Sequence, residues 1–181
     1  ILAGSIFAKK IILRNVPPVK DIVTMIDLLK FIGLKANFKK KNNSIKIENT
    51  EAKIKTVAPY KLVKTMRAGI LVLGPLLAKY RKARVSLPGG CAIGTRPVDL
   101  HLFALKKLGA KINIKNGYIN AKAINGLKGT TIKFPSISVG ATENAILASF
   151  YAEGDTILKN CAIEPEIQDL INFLNKLGGN I

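Results

Sequence analysis

The chain has 181 residues, 48% hydrophobic and 22% charged, a composition that builds a buried core and excludes a disordered segment. Its longest apolar stretch, Ala68–Ala78, falls well short of the roughly 20 residues that span a bilayer. Two cysteines 70 residues apart and one histidine exclude a disulfide scaffold and argue against a self-contained metal site. The net charge is +18, from 29 Lys plus Arg against 11 Asp plus Glu, which raises the question of a nucleic-acid partner. Only five of those cations are Arg, there is no Trp, and aromatics are 6%, so stacking platforms are scarce. The lysines read mainly as solvated surface that would favour a small anionic substrate.

In chain order, three segments align as internal repeats. The first runs from the apolar Ile1–Ala8 through Lys10–Asn15 and a Val16-Pro17-Pro18 loop to a helical run ending at Gly33. The second runs from Ile70–Ala78 through Ala83–Leu87, then a longer loop, to a helical run ending at Gly109. The third runs from Ala145–Phe150 through Asp155–Asn160 and a loop holding Pro165 to a helical run ending at Gly178. Spacings of three and four mark the second helix of each repeat: Ile22, Met25, Ile26, Leu29; Leu102, Leu105, Leu108; Leu170, Leu174, Leu177. Alternation predicts strands around Ala36 and Phe38, Ile45 and Ile47, Ile112 and Ile114, and Tyr118 with Ala121. Asn42-Asn43 and Asn116-Gly117 are hairpin signals.

The first helix of each repeat is apolar on nearly all sides, which predicts an interior position. The expected fold is therefore α/β (α+β): buried helices with sheets outside, in three βαβαββ-type repeats at approximately 1–58, 59–134 and 135–181. The sequence opens on Ile1 rather than Met, inside the first buried helix, and is expected to be a fragment of a longer chain.

The segment Leu87-Pro88-Gly89-Gly90-Cys91-Ala92-Ile93-Gly94-Thr95-Arg96-Pro97-Val98-Asp99-Leu100-His101 departs most from its sibling repeats, and function is expected there. Its glycines would let backbone N–H groups approach an anion, and Pro97 suits the start of the next helix. It lacks the Gly-Lys-Ser/Thr of a nucleotide-hydrolysing loop. Cys91 beside Arg96 is a candidate reactive thiol; Cys161 is expected to be structural. Arg67 sits where a helix dipole disfavours a cation, which fits an anion site or a surface ion pair equally. Ser138 is a candidate N-cap and Gly140 a point of close approach. His101 reads as a hydrogen-bonded helix residue.

On Ala58–Ala68, the cysteine segment and Ser138-Val139-Gly140-Ala141-Thr142-Glu143-Asn144, the chain resembles the UDP-N-acetylglucosamine 1-carboxyvinyltransferases, a family of enolpyruvyl transferases. The resemblance covers all 181 residues and implies the inside-out α/β barrel, with this chain as one of two similar domains and the second absent. It implies transfer of the enolpyruvyl group from phosphoenolpyruvate to the 3-hydroxyl of UDP-N-acetylglucosamine with release of phosphate, the first committed step of peptidoglycan synthesis. Cys91 matches the proton-donating cysteine that can carry substrate covalently and that fosfomycin alkylates. Arg67 and Arg96 match the arginines that gather phosphate and carboxylate. Arg96, Pro97, Val98, Asp99 and Leu100 match the uridine and diphosphate side, and Ser138, Val139 and Gly140 a second nucleotide contact. Ser136 departs from the Lys that many members carry. The resemblance implies no cofactor and no metal, no membrane or specific nucleic-acid partner, and a bacterial cytoplasmic location. The fragment alone is expected to be nearly inactive. Two alternatives are the sister family, 3-phosphoshikimate 1-carboxyvinyltransferase, which lacks this cysteine loop, and an RNA-binding module on the same kind of repeat, supported only by the charge.

Overall fold

A computed structural model describes residues 1–89 and 98–181. Cys91, Arg96 and Pro97 lie outside the described residues.

The elements follow the repeat pattern. A buried 3-10 turn, Ala3–Phe7, leads to β1 (Lys10–Leu13), α1 (Lys20–Ile32), β2 (Lys35–Lys39) and β3 (Ser44–Glu48). Then come β4 (Val57–Ala58), α2 (Tyr60–Val63), a 3-10 segment at Arg67–Val72, α3 (Leu73–Tyr80), β5 (Lys82–Ser86), α4 (Asp99–Lys107), β6 (Lys111–Lys115) and β7 (Tyr118–Lys122). The last unit is β8 (Thr131–Lys133), α5 (Val139–Ser149), β9 (Ile157–Lys159) and α6 (Pro165–Lys176).

Each unit builds its own sheet. The orders are β1-β3-β2, β4-β5-β7-β6 and β8-β9. β4 runs parallel to β5 and β8 parallel to β9, each pair joined through a buried helix, whereas β1-β3-β2 and β5-β7-β6 are antiparallel. α3 packs against α5 and against Ala3–Phe7, so the three apolar segments meet in the interior. Leu73, Leu76 and Leu77 of α3 are completely buried, each contributing about 2–3 kcal/mol of transfer free energy. Pro75 falls in the first turn of α3, where no hydrogen bond is lost. Among the described residues, no helix is long and apolar enough to cross a membrane.

The stop signals act as expected. Gly33, Gly109 and Gly178 adopt φ of 117°, 95° and 97°, the left-handed caps that glycine accepts without a Cβ penalty. Asn116 and Gly117, at φ 52° and 72°, form the two-residue hairpin that pairs Lys115 with Tyr118.

Three local expectations are corrected. The apolar run from Ile70 is not one helix: a 3-10 segment precedes α3. The inward residues of β7 are Ile119 and Ala121; Tyr118 faces out beneath the Arg84 guanidinium, 4.3 Å from its ring centroid. Ile114 is 52% exposed, because β6 is an edge strand with no neighbour beyond it.

Candidate active site

The 3-10 segment headed by Arg67, the start of α4 and the start of α5 converge; α5 packs on both of the others. Val98 is buried and accepts from the Leu102 N–H at 3.0 Å, opening α4. Asp99 follows in the first turn, where a carboxylate complements the helix dipole. Ser138 caps α5 with an extended backbone, its Oγ accepting from the Ala141 N–H at 3.4 Å. That cap leaves the N–H groups of Val139 and Gly140 in the first helical turn, where no intrahelical partner exists.

His101 and Asn144 lock these elements together. Asn144 is completely buried. Its Oδ1 accepts from the Gly74 N–H at 2.8 Å, and its Nδ2 donates to the Ile70 carbonyl at 3.3 Å and to His101 Nδ1 at 3.1 Å. The Gly74 N–H identifies the oxygen end of the amide, so Nδ1 of His101 accepts and the ring proton resides on Nε2. Burial, together with the nearby Arg67 charge, pushes the His101 pKa down to about 4. The imidazole is therefore neutral at pH 7. A Cβ on Gly140 would stand 3.3 Å from His101 Cε1, so glycine is what lets α5 close onto α4. A Cβ on Gly74 would stand 2.7 Å from the Asn144 carbonyl oxygen, and the same argument holds between α3 and α5.

Arg67 is exposed at the head of its segment. Among the described residues the ion pairs are Lys46–Glu48 and Lys79–Glu51, so no carboxylate there neutralises Arg67. The cysteine segment leaves β5 close to the end of α2: a Cβ on Gly89 would lie 3.0 Å from the carbonyl oxygen of Lys64, three residues before Arg67 in the chain. Thr142 donates to the Ser138 carbonyl at 2.8 Å and accepts from the Ala162 N–H at 3.0 Å, joining α5 to the junction before α6.

Of the sequence-nominated residues, the structure brings Arg67, Val98, Asp99, Leu100, Ser138, Val139 and Gly140 to three packed element starts. Asn144 received no role from sequence reasoning. Its signal was available: an amide inside a helix that is otherwise Ala, Ile and Leu must find buried partners. Glu143 sits on the same helix. It lines a cavity of about 380 Å3 with Arg14, Asn15 and Met66, and burial raises its carboxyl pKa, with Glu166 adding to the effect.

Comparison with known proteins gives the family. The family model described as EPSP synthase (3-phosphoshikimate 1-carboxyvinyltransferase) matches residues 1–181. A UDP-N-acetylglucosamine 1-carboxyvinyltransferase of Pelagibacter ubique (strain HTCC1062) is 63% identical over 182 residues, covering all of this chain and 43% of that protein. Proteins of the same name from Rickettsia bellii (strain OSU 85-389) and Idiomarina loihiensis are 52% and 50% identical, again covering all of this chain and 43% of theirs. The chain thus spans under half the length of these relatives. Among solved structures, the enolpyruvyl transferase NikO from Streptomyces tendae superposes with a TM-score of 0.84 at 19% identity, over 99% of this chain and 42% of that one. An EPSP synthase from Acinetobacter baumannii superposes at 0.68 and 16% identity, over 92% of this chain and 40% of that one. At such identities the likeness speaks for the fold alone.

Proposed function

This chain belongs to the EPSP synthase family of enolpyruvyl transferases, and from that premise we propose that it forms one wall of a site that moves the enolpyruvyl group of phosphoenolpyruvate to the 3-hydroxyl of UDP-N-acetylglucosamine. The observation that carries this reading is the 63% identity to a protein of that activity over the whole chain. An unneutralised Arg67 beside two helix starts supports it, being an arrangement suited to anions.

The chemistry is addition followed by elimination. The sugar hydroxyl loses its proton as its oxygen attacks C2 of phosphoenolpyruvate, whose methylene carbon gains a proton, giving a tetrahedral adduct. Loss of a proton from that carbon and departure of phosphate regenerate the double bond. Cys91 is the proton donor in this reading. Arg67 and Arg96 hold phosphate and carboxylate oxygens in the bidentate geometry that guanidinium favours. Arg96, Pro97, Val98, Asp99 and Leu100 take the uridine and diphosphate side, with Ser138, Val139 and Gly140 as the second contact. His101, held neutral, fixes the spacing between the two helix starts without adding a charge.

We read residues 1–181 as one domain of three repeats, at approximately 1–58, 59–134 and 135–181, with β4 and β8 at the ends of the first two spans pairing into the sheet of the next. The other wall of the cleft comes from the part of the relatives' length beyond this match. A cytoplasmic setting suits soluble sugar-nucleotide and phosphoenolpyruvate substrates, and neither a membrane nor a specific nucleic acid takes part in the reaction.

The test is phosphate release by the protein at its natural length, with phosphoenolpyruvate and either UDP-N-acetylglucosamine or shikimate 3-phosphate. Release that requires the sugar nucleotide is expected. Release that requires shikimate 3-phosphate instead would move the assignment to the sister reaction.

A further inference from the structure

The positive charge is unevenly distributed. Residues 59–134 hold 15 Lys plus Arg against a single acid, Asp99, whereas residues 135–181 carry a net charge of −4. Much of the excess lies on the outer face of the β4-β5-β7-β6 sheet. Ala83, Val85, Ile119 and Ala121 point inward, so Lys82, Arg84, Asn120, Lys122, Lys111, Asn113 and Lys115 point out. The register sets Lys82 opposite Lys122 and Lys122 opposite Lys111. Three lysines therefore stand abreast on adjacent strands, where like charges repel.

Beside this row lies a cavity of about 450 Å3 between the end of α4 and the chain after β7. Lys107, Lys111, Lys122 and Lys128 line it, together with Ile124 and Gly126, and no carboxylate does. Neither ion pair among the described residues involves these lysines. The nearest carboxylate by chain pairing is Glu153, opposite Lys128, but it forms no ion pair with it. The α4 carbonyls facing this end are occupied: Leu105, Lys106 and Leu108 accept from the N–H groups of Ala110, Gly109 and Lys128 at 2.9–3.0 Å. The helix end thus offers few free acceptors to oppose an anion. A second hollow of about 440 Å3 continues from Lys111 and Lys122 to Asn113, Lys115 and Asn120.

This site is separate from the candidate active site. Asp99 begins α4 at the active-site end and Lys107 ends it at the cavity, about 12 Å apart along the helix axis.

We propose that this cavity binds a small soluble anion built on a chain of phosphates, such as a nucleoside triphosphate or a short inorganic polyphosphate. Four lysine point charges in one small concavity suit several negative charges carried over a short length, and impose none of the planar geometry that arginine would. An RNA strand is less well served: Tyr118, the aromatic residue on this face, already carries Arg84 on its ring, so no open stacking platform remains.

Titration calorimetry with sodium tripolyphosphate, on the protein at its natural length, tests the proposal. The variant Lys111→Gln with Lys122→Gln is compared with Lys35→Gln with Lys39→Gln, which removes the same charge from exposed positions of β2. The expected result is saturable binding at one site, weakened at least tenfold in the first pair, less than twofold in the second, and retained in Arg67→Ala. The first pair relieves like-charge repulsion, so its melting temperature should be unchanged or higher, which separates lost binding from lost folding. ATP serves as the second arm: affinity equal to tripolyphosphate assigns the site to the phosphate chain alone, tighter binding assigns it to a nucleotide, and either supports the proposal. Equal weakening in both double variants would overturn it, as would loss in Arg67→Ala. So would absence of tripolyphosphate binding while polyuridylate or phosphatidylglycerol vesicles bind through the same lysines.

Discussion

The junction after β9 and the junction after β5 connect the same kinds of element, a strand on the outside to a second helix. The first takes five residues, Asn160–Glu164, and two of its donors are bonded to the scaffold. Asn160 turns the chain at φ 52° and donates to the Phe134 carbonyl at 2.8 Å; the Ala162 N–H goes to Thr142 Oγ1. The second takes twelve residues, 87–98. It leaves β5 through the Leu87 N–H, bonded to the Gly117 carbonyl at 2.9 Å, and re-enters the core at Val98. Between these anchors its sequence has no corner Asn, but three glycines, Cys91 and Arg96. Donors spent on the scaffold, as in the shorter junction, are not available to a substrate. The longer junction is anchored at its two described ends, Leu87 and Val98.

The comparison breaks most sharply at the cysteines, since each junction carries one. Cys91→Ser is expected to lower phosphate release by about 10²–10⁴-fold, the range for loss of a positioned proton donor, with unchanged thermal stability. Retention of full turnover would make the long junction a connector like its sibling.

Next in size is Asn144→Leu. The Gly74 N–H, the Ile70 carbonyl and His101 Nδ1 all lose their partner inside the core. Buried unpaired groups cost about 1–3 kcal/mol each, so urea denaturation should show a loss of about 3 kcal/mol or more. Arg67→Ala is expected to do the reverse: activity falls by about 10²-fold, consistent with loss of a charge-assisted bidentate contact, while stability holds because the side chain is exposed. Together the two variants separate the frame of the site from its working face.

His101 gives a pH signature. Its folded pKa is about 4 against an unpaired value of 6.5. Between those values the unfolded chain takes up a proton that the folded chain does not, so stability falls as the pH drops through that window. It is constant above about 6.5, and the full loss reaches about 3 kcal/mol near pH 4. The His101→Gln curve should lack this component; identical acid slopes in both proteins would show that the ring is not buried neutral.

Much of the frame was legible in the sequence because it rests on local rules. The glycines at 33, 109 and 178 stop helices wherever the chain must turn left-handed, and Asn116-Gly117 specifies its hairpin by the same backbone freedom. The apolar sides of α1, α4 and α6 follow from a period of 3.6. What escaped depends on contacts between distant segments. The inward face of β7 is chosen by its pairing with β5, not by its own pattern, which reads equally well from Tyr118 or Ile119. In the 3-10 segment before α3, Gly69 packs on Val63, where a Cβ would stand 3.3 Å from the Val63 Cα, a contact between elements. Asn144 was visible as an anomaly, but its partners at Ile70, Gly74 and His101 lie 43 to 74 residues away. The asymmetry of charge was present in the composition, yet only the register of β5, β7 and β6 sets Lys82, Lys122 and Lys111 abreast.

The smallest effect belongs to the other cysteine, and it completes the comparison. Cys161 is half-buried among Ile146, Leu158 and Ile167 beside a cavity of about 630 Å3, its thiol a weak donor to the Leu158 carbonyl at 3.8 Å. Cys161→Ala removes one small side chain already open on one side, so the loss should stay below about 1 kcal/mol. Phosphate release should be unchanged, because the Cys161 thiol bonds the Leu158 carbonyl and not the start of α4 or α5. The decisive readout is alkylation mapped by peptide mass. A thiol-directed epoxide should modify Cys91 faster than Cys161, and UDP-N-acetylglucosamine should alter the rate at Cys91 alone. Equal rates at both sulfurs would show that the long junction gives its cysteine no special environment, and the contrast between the two junctions would reduce to one of length.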